Sequence, residues 1–248
     1  MTPELARSPA AVLRPEAFAP DAVYAWGDPS DDLRWRLSIA RGRENIARAL
    51  QGRDEAAVRI LRRVDRGGDH FAEGRTVVAG EPATTFLRVQ VDASGAVTRA
   101  LSLWCHAADP PAATDHGPRP DGRPVIEAYF AGLRAARFDD AAACFTGDCF
   151  YTHPPWPGGE ERIVYRGRKA VARGFHEDRG PTPVIQVVTA FVQDGATAFA
   201  EGVVEGIPDG GTWAAALTLS PDGLLDRYVA FYGAPRVPGA SPAPGPGA

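Results

Sequence analysis

Apolar residues in the second half of the chain are first spaced as in helices and then as in strands. Within residues 124–133, apolar residues recur every three or four positions, which predicts an amphipathic helix with a proline near its start. The same reasoning predicts a short helix at 139–145, an apolar segment at 149–151 and a helix carrying Val171 and Phe175. Alternation then predicts four strands at 184–188, 198–204, 213–219 and 224–232. Helices followed by a strongly bent, mainly antiparallel sheet, with a hairpin turn at 220–223, indicate an α+β fold.

Much of this pattern is present twice. Three motifs return in the same order, at 41–48 and 166–173, at 71–74 and 199–202, and at Gly95 and Gly223. Their separations are nearly constant: 166 − 41 = 125, 199 − 71 = 128 and 223 − 95 = 128. Such a period is far too long for a solenoid, so the sequence predicts two copies of one domain of roughly 110 to 125 residues.

Composition divides the chain around these copies. The predicted segments are an N-terminal segment at 1–12, a first domain at 13–106, a linker rich in proline and glycine at 107–121, a second domain at 122–236 and a disordered tail at 237–248. Only about a dozen residues precede Leu13, which is too few for a full first helix, so we expect the first copy to be truncated and degenerate.

Charge and cysteine usage narrow the functional classes. The net charge is −4 and Lys169 is the only lysine, which argues against a nucleic-acid partner. The three cysteines are odd in number and form no Cys-x-x-Cys pair, so we expect buried thiols and no disulfide framework or zinc site. The N-terminus has no basic region followed by an apolar run, and eighteen apolar residues nowhere run together, so we expect a cytoplasmic protein without a membrane partner.

The order of elements in the second copy, its Tyr-Arg-Gly-Arg helix entry at 165–168 and its Asp-Gly-Leu-x-x-Arg-Tyr hairpin at 222–228 resemble the NTF2-like superfamily. The similarity is greatest to its SnoaL-like polyketide cyclase and ketosteroid isomerase relatives. It covers nearly all of 122–236 and less of 13–106. It implies a cone-shaped fold in which a curved sheet wraps around helices and leaves one apolar pocket. Because such cones pair through their sheets, it also implies an internal pseudo-dimer and a monomeric chain.

The resemblance suggests two catalytic residues. His153 directly precedes Pro154, at the position of the general base in ketosteroid isomerases, and an imidazole has a reference pKa of about 6.5. Tyr129 matches the tyrosine of the first helix that donates a hydrogen bond to the substrate carbonyl. The alternatives are that His153 faces solvent on a proline-rich loop and that Tyr129 is an ordinary core residue.

Glu201 is a third candidate, as an acid or as a partner that orients His153. It shares a strand face with Phe199, Val203 and Glu205, and the pattern leaves open whether that face lines the pocket or meets solvent. The second oxyanion donor of the isomerases, an aspartic acid, would fall at Ala215 in this chain. Steroid isomerisation itself is therefore not expected.

Aromatic side chains supply the expected ligand-binding surface. The candidates are Tyr151, Trp156, Phe175, Phe191, Trp213 and Tyr228. In the first copy, Asp28 precedes Pro29 as His153 precedes Pro154, at a separation of 153 − 28 = 125, but the following Ser30-Asp31-Asp32 favour a solvated acidic turn. The neighbour of Phe175, His176, is expected to be exposed.

No phosphate-binding glycine motif, nucleophile elbow or metal-ligand spacing occurs in the sequence, so neither a cofactor nor a metal is expected. The sequence therefore favours a cofactor-independent isomerase, dehydratase or cyclase that acts on a hydrophobic small molecule in the second domain. The alternative is a module of the same fold that binds a small molecule without catalysis.

Overall fold

The structure is a computed structural model that describes residues 13–27, 36–51, 58–78, 81–106, 117–155 and 162–238. The chain divides into two compact units, one formed by 1–108 with 237–239 and the other by 109–236 with 240–248. The predicted N-terminal segment and most of the predicted linker lie outside the described residues. None of the helices in the described ranges is both long and apolar enough to span a membrane.

The first unit is a six-stranded sheet with little helix. A 3₁₀ turn at Pro15–Ala17 precedes the first strand, and α1 spans Arg43–Leu50. The strands are β1 (Phe18–Gly27), β2 (Leu37–Arg41), β3 (Arg59–Arg66), β4 (Asp69–Val78), β5 (Glu81–Val91) and β6 (Val97–His106). Their order across the sheet is β2-β1-β6-β5-β4-β3, with β1 and β6 parallel and all other neighbours antiparallel.

The second unit repeats this sheet and adds two helices before it. Its helices are α2 (Arg123–Arg134), α3 (Phe138–Ala143) and α4 (Arg168–Gly174), the last continued by a π-helical turn at Phe175–Arg179. Its strands are β7 (Phe145–His153), β8 (Ile163–Arg166), β9 (Ile185–Asp194), β10 (Thr197–Glu205), β11 (Gly211–Leu219) and β12 (Leu225–Gly233). Their order is β8-β7-β12-β11-β10-β9, and β7 and β12 are parallel.

The predicted helices and four strands of the second copy are confirmed. The main difference is at β9, which continues to Asp194 although the alternating pattern ends at 188. The turn between β11 and β12 closes as predicted, because the Gly223 amide donates to the Ser220 carbonyl oxygen at 3.0 Å. The parallel pair makes the sheet mixed, which strand patterns alone do not reveal.

The two copies are confirmed by matching topology and by matching local geometry. Gly42 and Gly167 precede the equivalent helices α1 and α4 with φ of 78° and 82°. The Gly42 amide donates to the carbonyl oxygen of Ala22 at 2.9 Å, and the Gly167 amide donates to that of Cys149 at 2.7 Å. Glycine adopts this positive φ without steric cost, which explains why the Arg-Gly-Arg motif is present twice.

The glycine of the Phe-Ala-Glu-Gly motif lies beside an irregularity in each sheet. The pairing of β4 with β3 shifts next to Gly74, and the pairing of β10 with β9 shifts next to Gly202. A Cβ atom on Gly202 would overlap the Val187 carbonyl oxygen and the indole of Trp213. Because no Cβ is present, Trp213 reaches across β10 and its Nε1 donates to Val187 at 3.3 Å.

The two units fill the space beside their sheets differently. In the second, α2 buries Ile126, Phe130 and Leu133. In the first, the described residues before β1 contribute only the 3₁₀ turn, and the core includes Phe18 and Ile46. The truncation expected for the first copy concerns residues 1–12, which lie outside the described part.

Two smaller predictions concern the cysteines and the tail. Cys105, Cys144 and Cys149 are buried thiols, as expected. The predicted disordered tail is wrong at its start, because Val237 is fully buried and the Arg99 Nε donates to the Pro238 carbonyl oxygen at 3.3 Å. Residues 239–248 lie outside the described residues. The predicted internal pseudo-dimer stays a prediction.

Candidate functional site

One face of the second sheet packs against α2, and we call it the inner face. The ring of Tyr129 on α2 lies 5.5 Å from that of Tyr228 on β12, and the ring of Phe130 lies 4.9 Å from that of Trp213 on β11. Paired residues of neighbouring strands point to the same side of a sheet, so the register identifies the other members. The polar and aromatic side chains of the inner face include Tyr151, His153, Trp213, Tyr228 and Tyr232.

His153 is the last residue of β7 and is buried, with 1% of its surface exposed. Pro154 follows it and has no amide hydrogen with which to continue the hydrogen bonds between neighbouring strands. The Nδ1 atom of His153 lies 2.5 Å from the carbonyl oxygen of Pro154. A carbonyl oxygen only accepts, so Nδ1 carries the hydrogen and the lone pair of the neutral ring is on Nε2.

Burial also decides the charge of His153. Removal from water lowers its pKa to about 3, and the positive charges of Arg162 and Arg179 act in the same direction, while the bond to Pro154 opposes the shift. The imidazole is therefore neutral at neutral pH. Its pKa thus lies well below the reference value of about 6.5, and the alternative of a histidine facing solvent is wrong.

The hydroxyl oxygens of Tyr129 and Tyr151 lie 3.2 Å apart, which brings together the helix and the strand that ends at His153. Both residues are buried, with at most 1% of their surface exposed. Burial raises the pKa of each well above the ordinary value of a phenol. Both hydroxyls keep their protons across the physiological range and are available as hydrogen-bond donors.

Tyr228 places a further hydroxyl beside this pair. Its ring stacks on that of Tyr151 with the centroids 5.1 Å apart. Burial raises its pKa, and the neighbouring hydroxyls of Tyr129 and Tyr232 act in the same direction. The hydroxyl of Tyr228 is buried among these phenols and interacts with the hydroxyls of Tyr129 and Tyr232.

The sequence interpretation missed Tyr232, which lies next to His153, and Gln186, which binds the Tyr232 hydroxyl. The ring of Tyr232 lies 4.7 Å from the imidazole, and Gln186 on β9 donates from Nε2 to its hydroxyl at 3.1 Å. Burial raises the pKa of Tyr232 to about 12. The available signal was the spacing of Tyr232 four residues after Tyr228, which places both on one face of a strand.

Arg179 was also missed, and the sequence held no signal for it. It ends the π-helical turn before Gly180, where an exposed arginine is usual, yet only 9% of its surface is exposed. Its Nη1 donates to the Gly180 carbonyl oxygen at 3.0 Å. Its positive charge lowers the pKa values of Tyr129 and Tyr232, against the larger effect of burial.

The other predicted aromatic residues do not all lie near His153. Phe175 is buried at the end of α4, with its ring 5.8 Å from that of Tyr129. Phe191 is half-buried on β9, where it pairs with Ala200, and its ring lies beside Gly122 at the start of α2. Trp156 lies outside the described residues. His176 is exposed as expected, with its Nε2 3.2 Å from Asp139 Oδ1.

The prediction that Glu201 acts with His153 is corrected. Ala200 pairs with Ala215, and Ala215 pairs with Ala230, so these three fully buried alanines occupy the middle of the inner face. Glu201 alternates with Ala200 on β10 and therefore points to the other face of the sheet. It is fully buried there, and Glu205, further along the same face, is exposed.

The alignment of Asp28 with His153 is also corrected. Ala100 on β6 and Tyr228 on β12 are equivalent residues of the two copies. Ala100 pairs with Tyr24 on β1, and Tyr228 pairs with Tyr151 on β7. Tyr24 is therefore equivalent to Tyr151, and the separation between β1 and β7 is 151 − 24 = 127. The residue equivalent to His153 is therefore Trp26, since 26 + 127 = 153. Asp28 itself lies outside the described residues.

These geometries agree with a family match. Residues 126–231 match the family described as "SnoaL-like domain", so the second unit contains a SnoaL-like domain. No curated protein matches the chain.

Several solved structures match about half of the chain. A candidate ketosteroid isomerase from Kribbella flavida has 25% identity and a TM-score of 0.37, over 47% of this chain and 81% of its own. An epoxide hydrolase of Mycobacterium tuberculosis has 19% identity and a TM-score of 0.36, over 45% and 81%. A cystatin-like protein of unknown function from Methylobium petroleophilum has 20% identity and a TM-score of 0.38, over 49% and 84%.

The inner face thus combines one neutral imidazole with several protonated phenols in a largely apolar setting. The imidazole can accept a proton at Nε2, and the phenols can donate hydrogen bonds to an oxygen on which negative charge develops. Within the described ranges, no three histidine, cysteine, aspartate or glutamate side chains are grouped closely enough to hold a metal ion.

Proposed function

We propose that the second unit, with its SnoaL-like domain at 126–231, is a cofactor-independent acid–base enzyme for an apolar small molecule. The observation that carries this proposal is the presence of neutral His153 and the protonated Tyr129–Tyr151 hydroxyl pair on one buried face. His153 is the base and Tyr129 is the hydrogen-bond donor. Glu201 has no role in this site because it lies on the opposite face of the sheet.

The proposed reaction begins at a C–H bond next to a carbonyl group. His153 Nε2 takes the proton. The electron pair of the C–H bond forms a double bond to the carbonyl carbon, and the negative charge moves to the carbonyl oxygen. The phenol of Tyr129 donates a hydrogen bond to this oxygen. A donor in a water-poor site stabilises such charge more than water does.

The lowered pKa of His153 favours reactions that return the proton at once. An imidazolium whose pKa is about 3 is a strong acid and gives up its proton readily. Return to a different carbon completes an isomerisation, and transfer to a departing hydroxyl completes a dehydration. Attack of the carbanion on a second carbonyl carbon of the same substrate, with the proton passed to the new alkoxide, completes a cyclisation.

The first unit lacks this chemistry at the equivalent positions. Trp26 replaces His153, and Ala100 replaces Tyr228, as the strand pairings require. An indole has no basic nitrogen and an alanine has no donor. We therefore propose a single active site, in the second unit.

Deuterium exchange tests the proposal without knowledge of the natural substrate. We expect the protein to speed the exchange of the α-protons of 1-tetralone in D₂O, followed by NMR. His153→Gln should lower the protein-catalysed rate by roughly 10² to 10⁴, the range of a positioned general base. His176→Gln is the matched control, because His176 is an exposed histidine of the same unit.

Equal exchange rates in wild type and His153→Gln would contradict the proposed mechanism. A ligand-binding role without catalysis would then account better for the inner face. Loss of exchange in the His176→Gln control would contradict the assignment of the base to His153.

A further inference from the structure

The end of β7 that carries His153 is not held to β12 by strand pairing. The pairing of these two parallel strands ends at Thr152 and Val229, one residue before His153, although β12 continues to Gly233. Pro154 follows His153 and has no amide hydrogen to donate to the neighbouring strand. The strand end that positions the imidazole therefore needs another connection to β12.

Arg162 makes this connection from its position directly before β8. Its Nε donates to Thr152 Oγ1 at 2.9 Å, and its Nη2 donates to the carbonyl oxygen of Ala230 on β12 at 2.7 Å. Thr152 and Ala230 are fully buried. A guanidinium presents several donors in one fixed plane, so it can hold two acceptors at once. Because Thr152 directly precedes His153 on β7, Arg162 holds the chain at the residue next to the base.

Strand pairing in the first copy continues one residue further. Trp26 is the residue equivalent to His153, and it pairs with Ser102 on β6. The residue after Trp26 is Gly27, which has an amide hydrogen where Pro154 has none. The parallel pair of the first sheet therefore needs no side chain to close it at this point.

The side chains of the connection are also absent from the first copy. Leu37 occupies the place of Arg162, since 37 + 125 = 162, and Ala25 occupies that of Thr152, since 25 + 127 = 152. Neither leucine nor alanine has a side-chain donor or acceptor. The same sheet topology thus forms without the arginine in the copy that lacks the base. Arg162 therefore accompanies His153 and is not a requirement of the fold.

Arg162 also acts on the charge state of the base. Burial lowers the pKa of His153, the bond to Pro154 opposes this shift, and the positive charge of Arg162 supports it. The guanidinium thus favours the neutral imidazole, whose Nδ1 donates to the Pro154 carbonyl oxygen.

We propose that Arg162 is a positioning residue for His153: it replaces the strand pairing that ends at Thr152, and it thereby holds the imidazole with Nδ1 on Pro154 and Nε2 as the basic atom. This inference rests on the proposed function and adds the residue that holds the base in place. Arg162 acts through His153 and takes no part in the proton transfer.

The tautomer of His153 tests this positioning without any substrate. Long-range ¹⁵N–¹H NMR spectra of histidine-labelled protein at neutral pH distinguish a ring nitrogen that carries hydrogen from one that carries a lone pair. The signals of His153 are those missing in His153→Gln, and in wild type we expect only the tautomer with hydrogen on Nδ1. Arg162→Lys keeps the charge but replaces the planar fork by a single ammonium, so we expect both tautomers in this variant. Arg123→Lys, which changes an exposed arginine bonded to Glu127, is the matched control and should keep the wild-type spectrum.

Deuterium exchange of 1-tetralone tests the consequence for catalysis. Arg162→Lys should lower the protein-catalysed rate about tenfold, because a small displacement of a catalytic group is costly, and Arg123→Lys should not change it. His153→Gln and the double variant with Arg162→Lys should have equal rates, because Arg162 acts only through His153. Thr152→Val removes one of the two bonds with little change of shape and should lower the rate roughly threefold. If Arg162→Lys does not fold, Thr152→Val decides the question by the same two measurements.

A wild-type tautomer and a wild-type rate in Arg162→Lys would overturn the inference. An equal loss of rate from Arg162→Lys with and without His153 would also overturn it, because Arg162 would then act independently of the base. Both tautomers in Arg162→Lys, together with an exchange rate that His153→Gln leaves unchanged, would support the positioning of the imidazole and contradict only the proposed function.

Discussion

The hydroxyl oxygens of Tyr129 and Tyr151 lie 3.2 Å apart, although one residue is on α2 and the other is on β7. This contact joins the helix to the strand that carries His153. It gives the buried hydroxyl groups of Tyr129 and Tyr151 a hydrogen bond to each other. The geometry of the site therefore depends on where α2 packs against the sheet.

Removal of the Tyr151 hydroxyl should weaken this connection. We expect Tyr151→Phe to lower the free energy of unfolding by about 1 kcal/mol, since it keeps the ring contacts and removes one buried hydrogen bond. Urea unfolding followed by circular dichroism measures the change. Equal stability of Tyr151→Phe and wild type would show that the hydroxyl pair does not hold α2.

The pH dependence of stability should report the buried His153. Its folded pKa of about 3 lies below the unfolded value of about 6.5, so the unfolded chain binds the proton first as the pH falls. The resulting stability is complete above pH 6.5 and decreases between pH 6.5 and 3. The slope from this residue should be about 1.4 kcal/mol per pH unit.

Comparison with His153→Gln isolates this contribution, because the other titrating groups are the same in both proteins. We expect the difference in unfolding free energy between the two to change with this slope from pH 6 to pH 4. Parallel stability curves would mean that His153 titrates as an ordinary histidine.

The glycine of the second Phe-Ala-Glu-Gly motif should be intolerant of a side chain. Gly202→Ala would force a Cβ against the Val187 carbonyl oxygen and the indole of Trp213, neither of which can move freely. We expect a loss of about 1 to 3 kcal/mol in unfolding free energy. Gly147→Ala is the control, because a Cβ there meets no atom within 4 Å. Similar stabilities of the two variants would contradict this account of the motif.

The chain should be monomeric in solution. The resemblance to cones that pair through their sheets, together with two copies in one chain, leads us to propose that pairing is satisfied internally. Light scattering should then give the chain mass of 26.3 kDa. A mass of twice that value would contradict the proposal.

Sequence reasoning succeeded where a local pattern has one structural meaning. Gly42 and Gly167 mark the same helix entry because this entry needs a positive φ in both copies, so the repeat was visible without coordinates. Sequence reasoning failed where the position of a residue depends on how the elements pack together. Alternation shows which residues share a face with Glu201, but the position of α2 decides which face is the inner one.

The misalignment of Asp28 has a similar origin. The separation between the copies changes from 127 in β1 to 125 at the helix entry. The equivalent strand pairs show why, because Val23 pairs with Arg41 over 41 − 23 = 18 residues and Phe150 pairs with Arg166 over 166 − 150 = 16 residues. One motif cannot reveal such a change. The pKa of His153 was likewise out of reach, because burial depends on the whole unit.

The central claim is that neutral His153 is the base of the site, and the pH–rate profile of 1-tetralone deuterium exchange tests it most directly. Because the imidazole stays neutral far below its ordinary pKa, the protein-catalysed rate should be nearly constant from pH 8 to pH 5 and should be lost in His153→Gln. A rate that falls about tenfold per pH unit below pH 6.5, or a profile unchanged by His153→Gln, would contradict the claim.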